Sequence, residues 1–387
     1  MSLVLNTNYS SLLAQNSLST NGSKLSTALQ QLSSGMRINT AADDAAGYAI
    51  VQGMTSQING LDQAARNAND GVSLAQTAQG GLNEITNDLQ TMRDLAVQSL
   101  NATNSAQDRA DLNQQFSQLA ADINNVASTA AFNGVNLLDG SFQGATFQVG
   151  ANVGQTITVS SVASAQTSAL GTLYTAVGGA AAATTAGQTG SLTIGGIATA
   201  TFTVTGNVAT DAKTVAAAIN QISGQDGGVV ATVNATNGID LSSTTSQTVA
   251  VAVGAGSGAS VTLANLGMIA SYVVTSAGTT TNLNVGDVSS VDGSNRALAQ
   301  IDAALQQVAA TGAQLGAYQQ RFQAAIGGLT TASTNLQSAR SQIQDTDYAA
   351  ATSQLSKAQI LQQASTAMVA QANTVPQNIL TLLQKLP

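Results

Sequence analysis

The side chains of this 387-residue chain that could carry acid–base chemistry are carboxylates and lysines, because it contains no histidine and no cysteine. Imidazole general bases, thiolate nucleophiles, Cys-type zinc sites and disulfides are therefore excluded. Serine-protease triads and HExxH zinc sites, which need histidine, fall with them. In the middle of the sequence a carboxylate pair would have to be drawn from Asp211, Asp226, Asp240 and Asp287. Their spacing suggests no such pair. No catalytic residue, metal site or cofactor is expected, and no enzyme activity. A second charged set, Arg37, Asp43 and Asp44, stands between two helical segments. It reads either as salt bridging between subunits or hinge geometry, or as a solvated polar junction. An exposed ion pair contributes only ~0–1 kcal/mol, so energy alone does not separate the two readings.

The composition constrains the elements that must hold these residues. Charged residues are 8% of the chain, against about 25% in an ordinary globular protein. Low charge weakens repulsion between copies and favours side-by-side packing. Aromatic residues are 3%, so any core is built from Ala, Leu, Val and Ile. The net charge of −8 argues against nucleic acid as a partner, since phosphate binding needs clustered Lys and Arg. Met1 to Ser23 carries no Lys or Arg and no unbroken apolar run, unlike a cleavable signal peptide. No window approaches the ~18 apolar residues of a membrane span. An exported form would need a dedicated route.

The order of elements is helical, then strand-rich, then helical: an α+β chain. Prolines occur at 376 and 387 alone, which leaves long stretches without a helix breaker. Leu18, Leu25, Leu29 and Leu32 recur at heptad spacing. Ile50, Met54, Ile58, Leu61, Ala65, Ala68, Val72, Ala75, Leu82, Leu89 and Ala96 continue it along one helix face. A turn at Asn101 to Asp108 precedes a second helix from Arg109 to about Ala130. At the far end, stripes run from Leu298 to Ile343 and from Leu361 through Met368, Ala372, Val375, Ile379 and Leu382. Sustained 3.5-residue repeats predict coiled-coil packing. Neither end has the apolar bulk for a core of its own, so the two ends are expected to pair as an antiparallel rod; two independent bundles are the alternative. Pro376 is expected to interrupt the hydrogen bonding of the last helix and to kink it. Between the ends, Thr146–Val149 and Thr156–Val159 read as a hairpin, followed by a ββαβββ unit. Its parts are 192–194, 201–204, a helix over 211–222, then 229–233, 239–241 and 249–253. The Ala- and Gly-rich stretch 178–190 reads as a flexible loop or linker.

Six segments then carry a resemblance to a known family. They are Leu32-Ser33-Ser34-Gly35-Met36-Arg37-Ile38-Asn39, Ala42-Asp43-Asp44-Ala45-Ala46-Gly47, the run from Phe132-Asn133-Gly134 to Leu137-Leu138-Asp139-Gly140, Phe147-Gln148-Val149-Gly150-Ala151-Asn152, Ser341-Gln342-Ile343-Gln344-Asp345-Thr346-Asp347-Tyr348-Ala349 and Ala372-Asn373-Thr374-Val375-Pro376-Gln377-Asn378-Ile379-Leu380. In this order they closely resemble bacterial flagellin, over about the first 160 and last 100 residues. The resemblance implies nested domains: 1–44 with 345–387 as a paired inner coiled coil, 45–165 with 281–344 as a helical rod with a hairpin, and 166–280 as an exposed outer domain. It implies an extracellular filament subunit that polymerises with its own kind through both ends, exported through the flagellar type III channel without a cleaved signal peptide. An export chaperone, the cap and hook-associated proteins would be its partners. The inner ends are expected to be largely disordered in the monomer and to fold on joining the filament.

By the same resemblance, Gln90, Leu95 and Gln98 align with the surface that animal innate immune receptors recognise. Thr91 replaces the usual Arg there, and Gln115 a common acidic residue. Packing between subunits is the competing reading of these positions. A hook–filament junction protein and a surface adhesin that binds glycans or host surfaces through its Ser/Thr-rich middle are the alternative functions.

Overall fold

The computed structural model describes residues 8–223, 228–244, 247–254, 257–258, 261–274 and 279–383, with the side chains of 247, 273–274, 279–280 and 375–383 outside the description. Its helices are α1 (Tyr9–Ser34), α2 (Ala45–Ser99), α3 (Ala106–Thr129), α4 (Val208–Asn220), α5 (Val291–Gln344) and α6 (Tyr348–Leu383). By contact the chain divides into two units, one of residues 1–67, 148–155 and 325–387, the other of 68–147 and 156–324.

In the first unit α1 pairs with α6. Asn8 Nδ2 donates to the Ala372 carbonyl, Ser11 Oγ to Asn373 Oδ1 and Asn21 Nδ2 to Ser365 Oγ. At the other end Met36 and Asp345 form an antiparallel bridge, and Thr346 N–H donates to the Gly35 carbonyl. Each step up α1 is thus matched by a step down α6, and the pair is antiparallel. Gly35 ends α1 at φ +69°, a left-handed conformation that a Cβ would strain, and donates its N–H to the Gln31 carbonyl. The helix α6 runs on through Pro376, as the stripe extending past that residue implies. Also within this unit, Ser333 of α5 donates to Asp62 of α2 at 3.2 Å.

In the second unit, α2 and α5 again run antiparallel. Phe322 lies against Gly71, Gly312 lies near Gln79, Arg93 pairs with Asp302 at 2.8 Å, and Ser294 Oγ donates to Ser99 Oγ at 3.1 Å. The buried line of α2 runs Ala68, Gly71, Ala75, Ala78, Leu82, Ile85, Leu89, Met92, Ala96 and Ser99. It alternates threes and fours, as a coiled-coil face requires. The third helix, α3, adds Leu112, Phe116 and Ile123 to the buried set. Its N-terminus is closed by a capping box between Ser105 and Asp108.

The strands follow the expected plan with additions. Two short ones, β1 (Ala131–Phe132) and β2 (Val135–Asn136), pair around Asn133-Gly134, and β3 (Ala145–Gln148) pairs with β4 (Thr156–Val159). Next come β5 (Leu173–Ala176), β6 (Thr189–Gly190), β7 (Leu192–Ile194), β8 (Ile197–Ala198) and β9 (Phe202–Thr203). After α4 come β10 (Val230–Val233), β11 (Ile239–Ser243), β12 (Gln247–Val253), β13 (Ser271–Val274) and β14 (Thr279–Thr281). Two four-stranded antiparallel sheets result, ordered β10-β11-β5-β14 and β13-β12-β7-β8. Leu192, Ile194, Phe202, Val215, Ile219, Ile239, Leu241, Val251 and Tyr272 share one core with α4. The ββαβββ reading is therefore incomplete, because β5, β13 and β14 also belong to these sheets. In β5 the buried face carries Thr175, whose hydroxyl meets Ser242 Oγ at 3.0 Å, so the apolar alternation that marks a strand is interrupted by a satisfied hydroxyl pair.

The stretch 178–190 is not a loose linker. Gly178 N–H donates to Asp240 Oδ1, Ala182 N–H to the Asn265 carbonyl and Gly187 N–H to the Val204 carbonyl. Small side chains let this backbone lie close to its neighbours: a Cβ on Gly178 would sit 2.2 Å from the Ile239 carbonyl oxygen.

The described carboxylates considered for chemistry accept hydrogen bonds from nearby backbone and side chains. Asp211, in the first turn of α4, is 2% exposed and accepts from Thr205 N–H at 2.6 Å, Thr205 Oγ1 at 2.8 Å, Gly206 N–H at 3.1 Å and the Thr184 hydroxyl. Burial works against its charge, but these four donors outweigh it and hold its pKa below the ordinary 3.8. Asp240 accepts from Gly178 N–H and Asn234, and Asp287 from Ser289. Asp226 lies outside the described residues.

Two outcomes are expected. Gly71→Ala would put a Cβ 2.5 Å from Phe322 Cζ, and Phe322 is itself held edge-on against Phe147 at 5.3 Å. Overpacking of this kind costs about 1–3 kcal/mol, whereas Gly53→Ala, with nothing within 4 Å, gains helix propensity; urea unfolding of the two variants should move in opposite directions. Asp211→Asn turns an NH2 group toward N–H or O–H donors and should cost about 1–3 kcal/mol at neutral pH. Because the folded pKa lies below 3.8, the carboxylate's contribution is present above that value and is lost as pH falls through the lower folded pKa. Urea titrations from pH 6 to pH 2 should show wild type and variant converging at the acid end.

Candidate functional site

The seam between α1 and α6 is narrow, and what it leaves out is informative. On α1 the side chains turned toward α6 are Ser11, Ala14, Leu18, Asn21, Leu25, Ala28 and Leu32, all buried or half-buried. On α6 they are Ala351, Leu355, Ala358, Gln362, Ser365, Val369 and Ala372. Both lists alternate threes and fours, so each is one coiled-coil face. The residues that fill it are mostly small or polar, and only Ser11 and Ala28 of α1 are fully buried.

Other large apolar side chains lie outside it. Tyr9, Leu12, Leu13, Leu29, Ile360, Leu361 and Met368 are exposed, Met368 at 62%. Of the residues expected on the stripes, Leu18, Leu25 and Leu32 belong to the seam, while Leu29 and Met368 lie outside it. The neighbouring line through Ser365, Val369 and Ala372 faces α1, where Asn21 bonds Ser365 Oγ and Asn8 bonds the Ala372 carbonyl. The side chains of Val375, Ile379 and Leu382 lie outside the described residues. Tyr9, Leu13, Ala14, Leu361 and Met368 line a single groove.

The charged set between α1 and α2 does not pair with itself. Arg37 donates its backbone N–H to the Gln344 carbonyl at 2.6 Å, and its guanidinium to the Ile343 carbonyl. It ties the connector to the end of α5. Asp43 Oδ2 accepts from Thr40 N–H, Asn39 N–H and the Thr40 hydroxyl, and these bonds hold its pKa below the usual carboxylate value. Asp44 accepts from Gly47 N–H and so closes the first turn of α2. Ile38 is buried beside Gly47, where any Cβ would meet Ile38 Cδ1 at 2.6 Å. Within the chain this connector is a fixed turn.

On α2, Gln90 and Gln98 are exposed but Leu95 is 9% exposed, at the margin of the buried line through Met92, Ala96 and Ser99. Leu95 is thus a core residue in this chain and offers little outer surface. Thr91 and Gln115 are exposed. Sequence spacing missed the acidic trio Glu84, Asp88 and Asp122. Burial, then the charges of Asp122 and Glu84, push the Asp88 carboxyl up. No group of three or more such side chains placed to hold a metal ion occurs among the described residues, and no helix there is long and apolar enough to cross a membrane.

Comparison with known proteins agrees with the end-to-end match of motifs. Residues 5–143 match the bacterial flagellin N-terminal helical region and residues 298–383 the bacterial flagellin C-terminal helical region. Flagellin B of Vibrio anguillarum is 39% identical over 99% of this chain and 100% of its own length. The B-type flagellin of Pseudomonas aeruginosa is 35% identical, again over 99% and 100%. The solved structure of FliC from Burkholderia pseudomallei is 28% identical, covers 65% of this chain and 99% of its own, and superposes with a TM-score of 0.38, too low to add to the fold argument. Matched at both ends and aligned with relatives over nearly its whole length, the chain belongs to the bacterial flagellin family and is a structural subunit of the flagellar filament.

Proposed function

We propose that subunits join through the apolar side chains that α1 and α6 keep out of their shared seam. The observation that carries this reading is the groove of Tyr9, Leu13, Leu361 and Met368, which a single chain leaves open to water. A second copy that covers it buries side chains contributing ~1.5–3 kcal/mol each. Leu29 and Ile360 extend the same outward faces, and Val375, Ile379 and Leu382 are assigned to them by sequence alone. A contact of this kind that is head-to-tail and does not close into a ring produces an open helical filament.

The same logic gives the ends their folding behaviour. A seam in which small and polar residues separate a few half-buried leucines supplies limited packing, on which helix stability depends. We infer that α1 and α6 are marginal in the free subunit and are completed by their neighbours. The pairing of α1 with α6 supports the nested plan of 1–44 with 345–387 inside, 45–165 with 281–344 next, and 166–280 outermost. Arg37, Asp43 and Asp44 then act as the turn that sets where α2 leaves the inner pair.

An exported subunit of this family works outside the cell, with an export chaperone, the cap and hook-associated proteins as its partners. Freedom from cysteine suits passage through a narrow channel. Recognition by an innate immune receptor is weakened here. Leu95 is largely covered, and Thr91 lacks the several donors of an Arg fork, which leaves Gln90 and Gln98 as the exposed part of that set.

Leu13→Gln combined with Met368→Gln should leave the unfolding of the free chain within about 0.5 kcal/mol of wild type, since both positions are exposed. Elongation from filament seeds, followed by light scattering, should fall at least about ten-fold. Unchanged elongation would remove the groove from the assembly surface.

A further inference from the structure

The inner helices are nearly free of charge, and the little they carry is of one sign and in one place. Over α1 the only ionisable side chain besides Tyr9 is Lys24, and over α6, besides Tyr348, it is Lys357. Neither helix contains Asp or Glu. The antiparallel pairing brings both lysines to one open groove of about 610 Å³, lined also by Thr20, Thr27, Gln31 and Gln354. Both lysines are exposed, and among the described residues neither has an ion-pair partner. Two ammonium groups without a carboxylate between them repel each other, so the free chain gains nothing electrostatic from this arrangement.

The opposite charge lies at the end of the same pair. The turns that join α1 to α2 and α5 to α6 hold Asp43, Asp44, Asp345 and Asp347 against Arg37 alone. All four carboxylates are exposed, and none has a cationic partner among the described residues. They accept bonds from their own turns: Asp345 from Ser341, Asp347 from the N–H groups of Ala349 and Ala350 at the start of α6. Each keeps acceptor capacity, because an ionised carboxylate has about four lone-pair sites. Lys24 stands 11 residues before Gly35, about 16 Å along the helix at 1.5 Å per residue. The lysine groove and the acidic end are therefore separate along one axis and cannot neutralise each other within a chain.

We propose that the Lys24–Lys357 groove receives the acidic end of a second copy of this chain, with Asp345 and Asp347 as the partner carboxylates. A positive band and a negative band displaced along one axis are satisfied by a copy shifted along that axis. Such a contact leaves a free band at each end for the next copy. This deepens the assembly reading given above and rests on it: the apolar groove supplies affinity, and the charge bands fix the axial register and polarity of the contact. In a surface so poor in charge, two lysines meeting two aspartates discriminate strongly against other offsets, because any shifted copy places like charges together or leaves them unpaired.

Neutralisation tests this with little effect on folding, since all four side chains are exposed and Asn keeps the cap at 347. The full chain is prepared as wild type, Lys24→Gln/Lys357→Gln, Asp345→Asn/Asp347→Asn and the four-fold combination, and the critical concentration for elongation from wild-type-free seeds of each is measured in low-salt buffer. At ~1 kcal/mol for an exposed pair, each double variant should raise it about five-fold or more, and the combination should be no worse than either double alone. Added sodium chloride should narrow the gap between wild type and variants. Double variants that elongate like wild type, or effects that multiply in the combination, would overturn the pairing. So would a loss confined to the lysine variant, which would assign the groove to some other anion. Failure of the wild-type chain itself to elongate would count against the assembly reading and not against the charge bands alone.

Discussion

The seam between α1 and α6 is the contact on which the rest of this molecule depends. It is long, antiparallel and regular, but between Leu18, Leu25, Leu32 and Leu355 it is filled with alanine, serine, asparagine and glutamine, where a stable two-helix coiled coil would carry more leucine. Side chains of that size bury little apolar area, and burial at about 25 cal/mol per Å² is what holds paired helices together. The hydrogen bonds from Asn8, Ser11 and Asn21 set the register while adding modest stability. Tyr9, Leu12, Leu13, Leu29, Ile360, Leu361 and Met368 remain on the outside, so the inner helices are matched to more neighbours than one chain provides. Polymerisation in this account follows from an apolar surface that a single chain cannot bury alone.

The second unit is built on a different balance. There α2, α3 and α5 enclose Leu82, Ile85, Leu89, Met92, Phe116, Ile123 and Phe322, all nearly inaccessible to water. Two antiparallel sheets and α4 form a further core of their own around Tyr272, whose hydroxyl donates to the Ile239 carbonyl at 2.8 Å and whose pKa burial pushes up to about 12. Polar residues in this unit serve as fasteners. Asp211 gathers four donors at the head of α4, Asn124 holds Thr167, and Ser99 and Ser294 share a buried contact beneath the start of α5. A chain without histidine or cysteine has turned its carboxylates to turns, caps and proposed subunit contacts.

Much of this was legible in the sequence, for identifiable reasons. Three-and-four spacing located the long helices because a sustained 3.5 repeat has few other uses, and Leu82, Leu89, Ala96, Ile301, Val308, Leu315 and Phe322 are buried as that spacing implies. The same spacing could not tell which line of a helix meets its partner in the same chain. Met368 and Val369 lie one residue apart, about a quarter-turn on the helix, and it is the smaller residue that faces α1. Periodicity follows bulk, whereas this seam takes small and polar groups between its leucines. β5 escaped notice because Thr175 occupies a buried position, and the loop 178–190 looked loose because alanine and glycine allow close backbone contact as well as freedom. Leu95 aligned with an exposed surface by motif, yet helix geometry turns it to the edge of the core.

The claim that neighbours complete the inner helices is tested most directly by amide hydrogen exchange, measured over residues 9–34 and 348–374 in the free subunit and in the assembled filament. The account predicts fast exchange of both segments in the free subunit, well ahead of α2, α3 and α5 in the second unit, and strong protection of both in the filament. Protection in the free subunit as deep as that of the second unit's core, and unchanged by assembly, would contradict it: the seam would then suffice by itself, and the exposed leucines and Met368 would need another explanation.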